Sequence, residues 1–341
     1  MCIRDRATAK REGTSLSIPY ARAAAEEAPA EAATTGQSAP TSLPELSAEE
    51  AKGRVTDAVS RPLPETPSDG RALEPVTPPT APFFGARVLE SLPLDALVPF
   101  VNENVLYKFQ WGFARKGLNT QQWREQLATV ARPVYLDLVK RCIDEKILQP
   151  KAVYGYFPCN AVGDDLVIWD PEQPEREATR FPFPRQDNGQ GLCIADYFAP
   201  VESGVRDVIG LTCVTMGHHA SEVANDWFAD NAYRDYLYLH GLSVEMTEAL
   251  AEFLHRQMRA ELGIHGDDAR EIKDLFHVRY RGCRYSFGYP ACPEMAPQRD
   301  LLRLLGAERI GVSMDEDDQL HPEQSTSAII VHHPAARYFK V

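Results

Sequence analysis

The residues best suited to chemistry lie between Arg284 and Pro293, in the run RYSFGYPACP. Arg284 carries five donors in a planar fork that matches a carboxylate. Tyr285, Phe287 and Tyr289 offer aromatic faces for a base or a cation. Pro290 and Pro293 fix their own backbone, and Gly288 opens conformations closed to other residues. A segment so constrained loses little entropy when it holds a ligand. A ligand with both a carboxylate and a purine suits this set. A proline-braced loop that caps the core, its arginine paired internally, suits it equally well.

Three other constellations deserve the same weighing. Glu248, Glu252 and His255 fall at i, i+4 and i+7 and share a helix face. A metal triad, and with it a metal-dependent hydrolase, can be drawn from them, but a solvated polar face is the simpler expectation. His218-His219 and His332-His333 are adjacent pairs, and neighbours on a strand point to opposite faces, so each pair offers one ligand at most to one site. There is no HExxH, and no metal site is expected. Cys283 and Cys292 flank the arginine run, but no neighbouring base is in place to activate a thiolate, so buried packing roles are expected. GxGxxG and GxxxxGK[ST] are absent, so a Rossmann dinucleotide site has no fingerprint.

The elements that must position these residues can be outlined. TQQWREQLATVARPVYLDLVKRCIDEKIL has helical spacing, divided at Pro133. KAVYGYFPCNAVGDDLVIWD reads as strand, turn at Gly163-Asp164-Asp165, strand. GLCIADYFAP and DVIGLTCVTMG read as further strands. A long helix is expected from Ala220 to about Leu262, with Leu250, Phe253, Leu254, Met258 and Leu262 as its apolar stripe. A short helix, PQRDLLRLLGA, and a last strand in STSAIIVHHPAARYFKV complete the outline. Without regular βαβ repeats, the expected class is α+β, with a mainly antiparallel sheet flanked by helices.

Composition bounds the rest. Of 341 residues, 44% are hydrophobic and 25% charged, ordinary values for a globular chain. The net charge of −13 repels phosphate backbones, so a nucleic-acid partner is not expected. No apolar run reaches 18 residues, so no membrane span is expected. Seven cysteines without framework spacing fit a reducing cytoplasm. Residues 1–82 hold 11 of the 26 prolines and one aromatic, Tyr20. Their composition predicts a disordered linker, most evidently over 22–82, and a globular domain over 83–341. The opening MCIRDR does not resemble a domain start, which suggests a fragment of a longer reading frame.

RYSFGYPACP resembles the R-x-x-x-G-Y-P-A-C-P signature of the C-terminal activation domain of cobalamin-dependent methionine synthases. AVYGYFPCNAVGDDLVIW, LCIADYFAP, DVIGLTCVTMG, TEALAEFLHRQMR and HHPAARYF resemble further blocks of that family, in the same order, across Phe83 to Val341. The resemblance implies a single C-shaped domain around a twisted antiparallel sheet. It implies binding of S-adenosylmethionine (AdoMet) and, beside a cobalamin-binding domain of the same full-length protein and a flavodoxin-type electron donor, reductive methylation of oxidised cobalamin in methionine biosynthesis. It places Arg284 on the methionyl carboxylate. The Ser286 backbone is placed against the ligand, Tyr289 near the sulfonium methyl, and Glu248 on the active helix face. Tyr338 and Phe339 fall near the adenosine. Glu248 and Tyr289 are the catalytic candidates.

Two departures qualify this. Where the family commonly has I-D-W-T-P-F-F, this chain has FVNENVLYKFQW, so Asn102 falls where an aspartate would accept from the adenine amino group, with Glu103 as a substitute. The D-x-H-x-x-G motif of the cobalamin-binding domain is absent, and the homocysteine and folate modules cannot fit in 82 residues. This chain alone is therefore not expected to run the full methyltransferase reaction. REGTSLSIPYARAAAEEA reads as a tail of the missing cobalamin module. A free-standing reactivase acting in trans on a separate corrinoid protein is the alternative.

Overall fold

The computed structural model describes residues 73–341 except Asn188, so most of the proline-rich stretch lies outside the described residues. Nine strands are described: β1 (Gly85–Leu89), β2 (Lys151–Val162), β3 (Asp165–Trp169), β4 (Glu177–Pro182), β5 (Asp207–Thr215), β6 (Cys283–Tyr285), β7 (Ser313–Met314), β8 (Leu320–His321) and β9 (Ser325–Val331). Seven form one sheet in the order β4-β3-β2-β5-β9-β6, with β1 also on β2, and every pairing is antiparallel. β1 and β3 share one edge of β2, β1 along Ala152–Tyr156 and β3 along Cys159–Val162.

The sheet is covered on both faces because its central strands are apolar in both alternations. In β2, Tyr154 and Tyr156 face one core, while Val153, Phe157 and Cys159 face the other. Helix α1 (Thr120–Gln126) precedes three helices that close the first core: α2 (Arg132–Asp144), α3 (His218–Ala229) and α4 (Tyr233–Glu261). The second is closed by α5 (Gln298–Leu305) and by the segment around Ile194–Tyr197. Residues 73–82 have no regular element, although Leu73 lies against the second core.

The sequence outline needs three corrections. Pro133 does not divide the helix into two separate pieces. It sits in the first turn of α2, where no intrahelical donor is needed, and a π-helical stretch over Leu127–Ala131 joins α1 to α2. The stretch GLCIADYFAP is not a strand. Asp196 accepts from the Cys193 amide and from both terminal nitrogens of Arg185, which folds Ile194–Tyr197 into a 3-10 turn with its apolar side chains buried. The long helix is two helices. Asn231 takes φ 61°, and the Asn231 and Ala232 amides donate back to Phe228 and Trp227, a Schellman cap that ends α3.

Candidate functional site

Strand alternation sets the site. Among the described residues β6 pairs only with β9, at the edge of the sheet. Its Cys283 and Tyr285 enter the second core, and Arg284 between them points to the opposite face, where α4 passes. On α4, Glu248 and Glu252 lie one turn apart and both reach the arginine. Arg284 Nη1 donates to Glu252 Oε2 at 3.2 Å, and Nη2 to Glu248 Oε2 at 3.5 Å. The two carboxylates differ in setting. The Glu248 side chain is 41% exposed and Glu252 is buried. Burial raises the Glu252 pKa, partly offset by Arg284 and Arg259.

Glu248, Glu252 and His255 therefore do not form the solvated polar stripe expected from sequence. His255 is fully buried with its ring edge-on to Tyr280 at 5.0 Å, and burial, then the charges of Arg259 and Arg284, hold its pKa well below the usual imidazole range. Nor is a metal triad assembled: among the described residues no group of three His, Cys, Asp or Glu could hold a metal. The histidine pairs are engaged elsewhere. His332 Nε2 meets Asp207 Oδ1 at 2.7 Å, His333 Nε2 meets the Glu74 carbonyl at 3.2 Å and His218 Nε2 the Gly311 carbonyl at 2.9 Å, while His219 pairs with Glu222.

After β6 the chain makes the braced loop that its prolines suggest. Gly288 takes φ 79°; its amide donates to the Cys292 carbonyl at 2.7 Å, and the Cys292 amide to Tyr289 at 3.0 Å. The Ser286 carbonyl accepts from the Tyr289 amide at 3.2 Å and from the Cys292 thiol at 3.1 Å. The C-terminal Val341 amide donates to Pro290, which ties the chain end to the loop. Of the three aromatics, two are spent on packing. Tyr285 donates its hydroxyl to the Arg337 carbonyl at 2.7 Å, and Phe287 lies against Phe181 and Phe183. Tyr289 alone of the three is exposed, at 40%. The cysteines are packing residues: Cys283 and Cys292 are buried, and burial pushes the Cys283 thiol up to about 12.

Tyr338 and Phe339 both meet the Tyr285 ring, at 5.9 and 6.2 Å. Tyr338 is 44% exposed and near enough to Arg284, Glu248 and Glu252 to interact with all three charges. Arg284, Glu248 and Tyr338 thus converge, with Tyr289 at the end of the loop that follows Arg284. Asn102 sits on a segment that reaches α4 through Phe100 against Phe253 (5.5 Å), but its amide oxygen caps a helical turn by accepting from Val105 at 3.3 Å. Glu103 is held by Arg132 and by the Tyr107 hydroxyl.

Sequence reading missed the layer behind Arg284. Arg259 is fully buried, makes a bidentate pair with Asp268, and lies over the Tyr280 ring at 4.0 Å. A signal was present: Arg259 continues the Glu248, Glu252, His255 face by one more turn.

A family model described as vitamin B12 dependent methionine synthase, activation domain, matches residues 93–341. A protein named methionine synthase from Mycobacterium tuberculosis (strain ATCC 25618 / H37Rv) is 40% identical over 290 residues, which is 81% of this chain and 24% of that protein. One of the same name from Mycobacterium leprae (strain TN) is 39% identical over the same shares. The chain thus spans about a quarter of the length of these curated relatives. A solved MetH reactivation domain bound to AdoHcy superposes with a TM-score of 0.70 at 26% identity, covering 78% of this chain and 83% of that one.

Proposed function

The chain belongs to the family of vitamin B12 dependent methionine synthase activation domains, and from that premise we propose that its Arg284 site binds AdoMet. The observation that carries this is the Arg284–Glu248 pair. Its 3.5 Å separation and the exposure of Glu248 make it a loose ion pair at the mouth of a buried one. An amino-acid zwitterion suits that opening, its carboxylate on the guanidinium and its ammonium on Glu248. The ligand in the structural relative has such an end, which supports the assignment. In this reading Tyr338, beside Phe339, meets the adenosine and Tyr289 borders the sulfonium, and both tyrosines are exposed. The Ser286 carbonyl is already engaged within the loop, so its contribution is to hold the loop's shape. Asn102 retains one oxygen lone pair for an adenine amino group.

AdoMet, when bound, would supply an electrophilic methyl group to a cobalamin held by another domain of a longer protein. This chain's residues orient the ligand through its two charged ends and hold the methyl at the surface, so the contribution is positional and electrostatic. A flavodoxin-type donor for the accompanying electron, a cytoplasmic setting, and a boundary at residue 83 between linker and domain complete the proposal. Among the described residues no helix is long and apolar enough to cross a membrane.

Calorimetric titration of AdoMet into the full chain tests the site. Saturable binding is expected, weakened by about 2–4 kcal/mol in Arg284→Ala. Arg284→Lys keeps the charge opposite Glu252 but loses the fork, and should also weaken binding. Absence of binding by the folded wild type, or full affinity in both variants, overturns the proposal.

A further inference from the structure

Arg284 can grip a carboxylate only if its guanidinium is held in one plane, and the side chain has three flexible carbons behind that plane. Glu252 supplies the fixed contact, at 3.2 Å on Nη1. Glu252 could instead turn to Arg259, whose Nη2 lies 3.7 Å from its other oxygen, Oε1. Arg259 holds Glu252 only as this long ion pair, because Asp268 occupies its Nε and Nη2. Nε donates to both Asp268 oxygens, at 2.8 and 3.1 Å, and Nη2 to Oδ2 at 2.9 Å. The four side chains carry two positive and two negative charges that cancel, and three of them, Glu252, Arg259 and Asp268, are at most 9% exposed. Opposite charges at such burial are strongly coupled, and removing one redistributes its partners. Arg259 also lies against the Tyr280 ring, four residues before Arg284 on the same segment, so both sides of the arginine's support meet at Arg259.

We propose that Asp268 is a positioning residue for the carboxylate site: by engaging Nε and Nη2 of Arg259 it keeps Glu252 from a close contact there and leaves it to fix the Arg284 fork. The proposal rests on the AdoMet reading given above. Without the Asp268 charge, Glu252 becomes the one buried carboxylate between two guanidinium groups and is drawn toward Arg259. Arg284 then loses its inner contact and the plane in which it meets the ligand.

The test compares two ligands on the full chain, AdoMet and its decarboxylated form, which keeps the adenosine, the sulfonium and the ammonium but lacks the carboxylate. In Asp268→Asn the affinity for AdoMet should fall about tenfold relative to that for the decarboxylated ligand, a loss of about 1.4 kcal/mol in discrimination. Asp268→Glu, which keeps the charge, should recover most of it. If Asp268→Asn does not fold, as judged by circular dichroism, Arg259→Lys makes the same comparison, since lysine keeps the charge but cannot saturate a carboxylate with a fork. Unchanged discrimination in the folded variant, or equal loss of both ligands, overturns the positioning role. Those outcomes differ from failure of the AdoMet reading, in which the wild type binds neither ligand.

Discussion

At the scale of single residues, burial decides which reactive groups can react. Cys283 and Cys292 border the arginine that dominates the site, yet both are enclosed, and burial holds the Cys283 thiol up to about 12. Iodoacetamide at neutral pH should therefore leave both unmodified in the native protein and alkylate them after unfolding, as read by peptide mass spectrometry. Rapid native alkylation of either would show an opening that the fold does not contain. The same rule explains what could be read in advance here. Arg284 could be singled out from sequence because a guanidinium beside a proline-braced loop has two evident uses, a ligand carboxylate or an internal partner, and the fold supplies the internal partners Glu252 and Glu248. Glu252 and His255 were not legible, because their polar stripe looks solvated until β6 and the segment carrying Tyr280 are laid over it. Tyr285 and Phe287 were legible as aromatic but not as packing residues, since the alternation that turns Tyr285 inward starts from β6 pairing with β9.

At the scale of elements, the site depends on how closely β6 can approach β9. Gly282, one residue before β6, takes φ 87°, and a Cβ there would collide with the Val331 carbonyl oxygen. That carbonyl belongs to the backbone of β9 and cannot turn away as a side chain would. Gly282→Ala should cost about 3 kcal/mol or more, combining left-handed strain with displacement of the strand pair. Gly163, in the turn between β2 and β3, has φ 61° but open space around it, so Gly163→Ala should cost only about 1 kcal/mol. Urea unfolding midpoints of the two variants make the comparison, and equal losses would mean that β6 can shift freely. Strand existence was legible from runs such as DVIGLTCVTMG, whereas β6 has three residues and no pattern of its own. The turn over Ile194–Tyr197 misled because a short apolar run is buried equally well as a strand or as a capped turn. The helix break was written in Asp230-Asn231, where asparagine tolerates the left-handed conformation.

At the scale of the whole molecule, one sheet is sealed between two apolar layers, and α4 carries charged and titratable groups into the first of them. The ordered blocks of sequence made this α+β arrangement legible, but not the cost of burying those groups. His255 faces Arg259, Arg284 and the Tyr280 ring, and neither ring nitrogen has a hydrogen-bond partner among the described residues. Its folded pKa is well below the ordinary 6.5, by burial first and the two arginines second. Below about pH 6.5 the unfolded chain therefore takes up a proton that the folded chain refuses, and stability falls as the solution is acidified. His333, whose pKa burial also lowers, acts in the same direction. Glu252 acts oppositely: with its pKa raised, stability is lost as pH rises from the ordinary 4.5 toward its folded value, a loss shared by variants that keep Glu252. A net charge of −13 also eases on acidification, but identically in variants that differ at one buried position. His255→Leu should therefore unfold in urea with a shallower loss of stability between pH 7.5 and 5.5, the difference approaching about 1.4 kcal/mol per pH unit, the limit for one proton. Identical slopes in the wild type and the variant would mean that His255 takes up its proton inside the fold, and that the buried charges around Arg284 are far better screened than their packing implies.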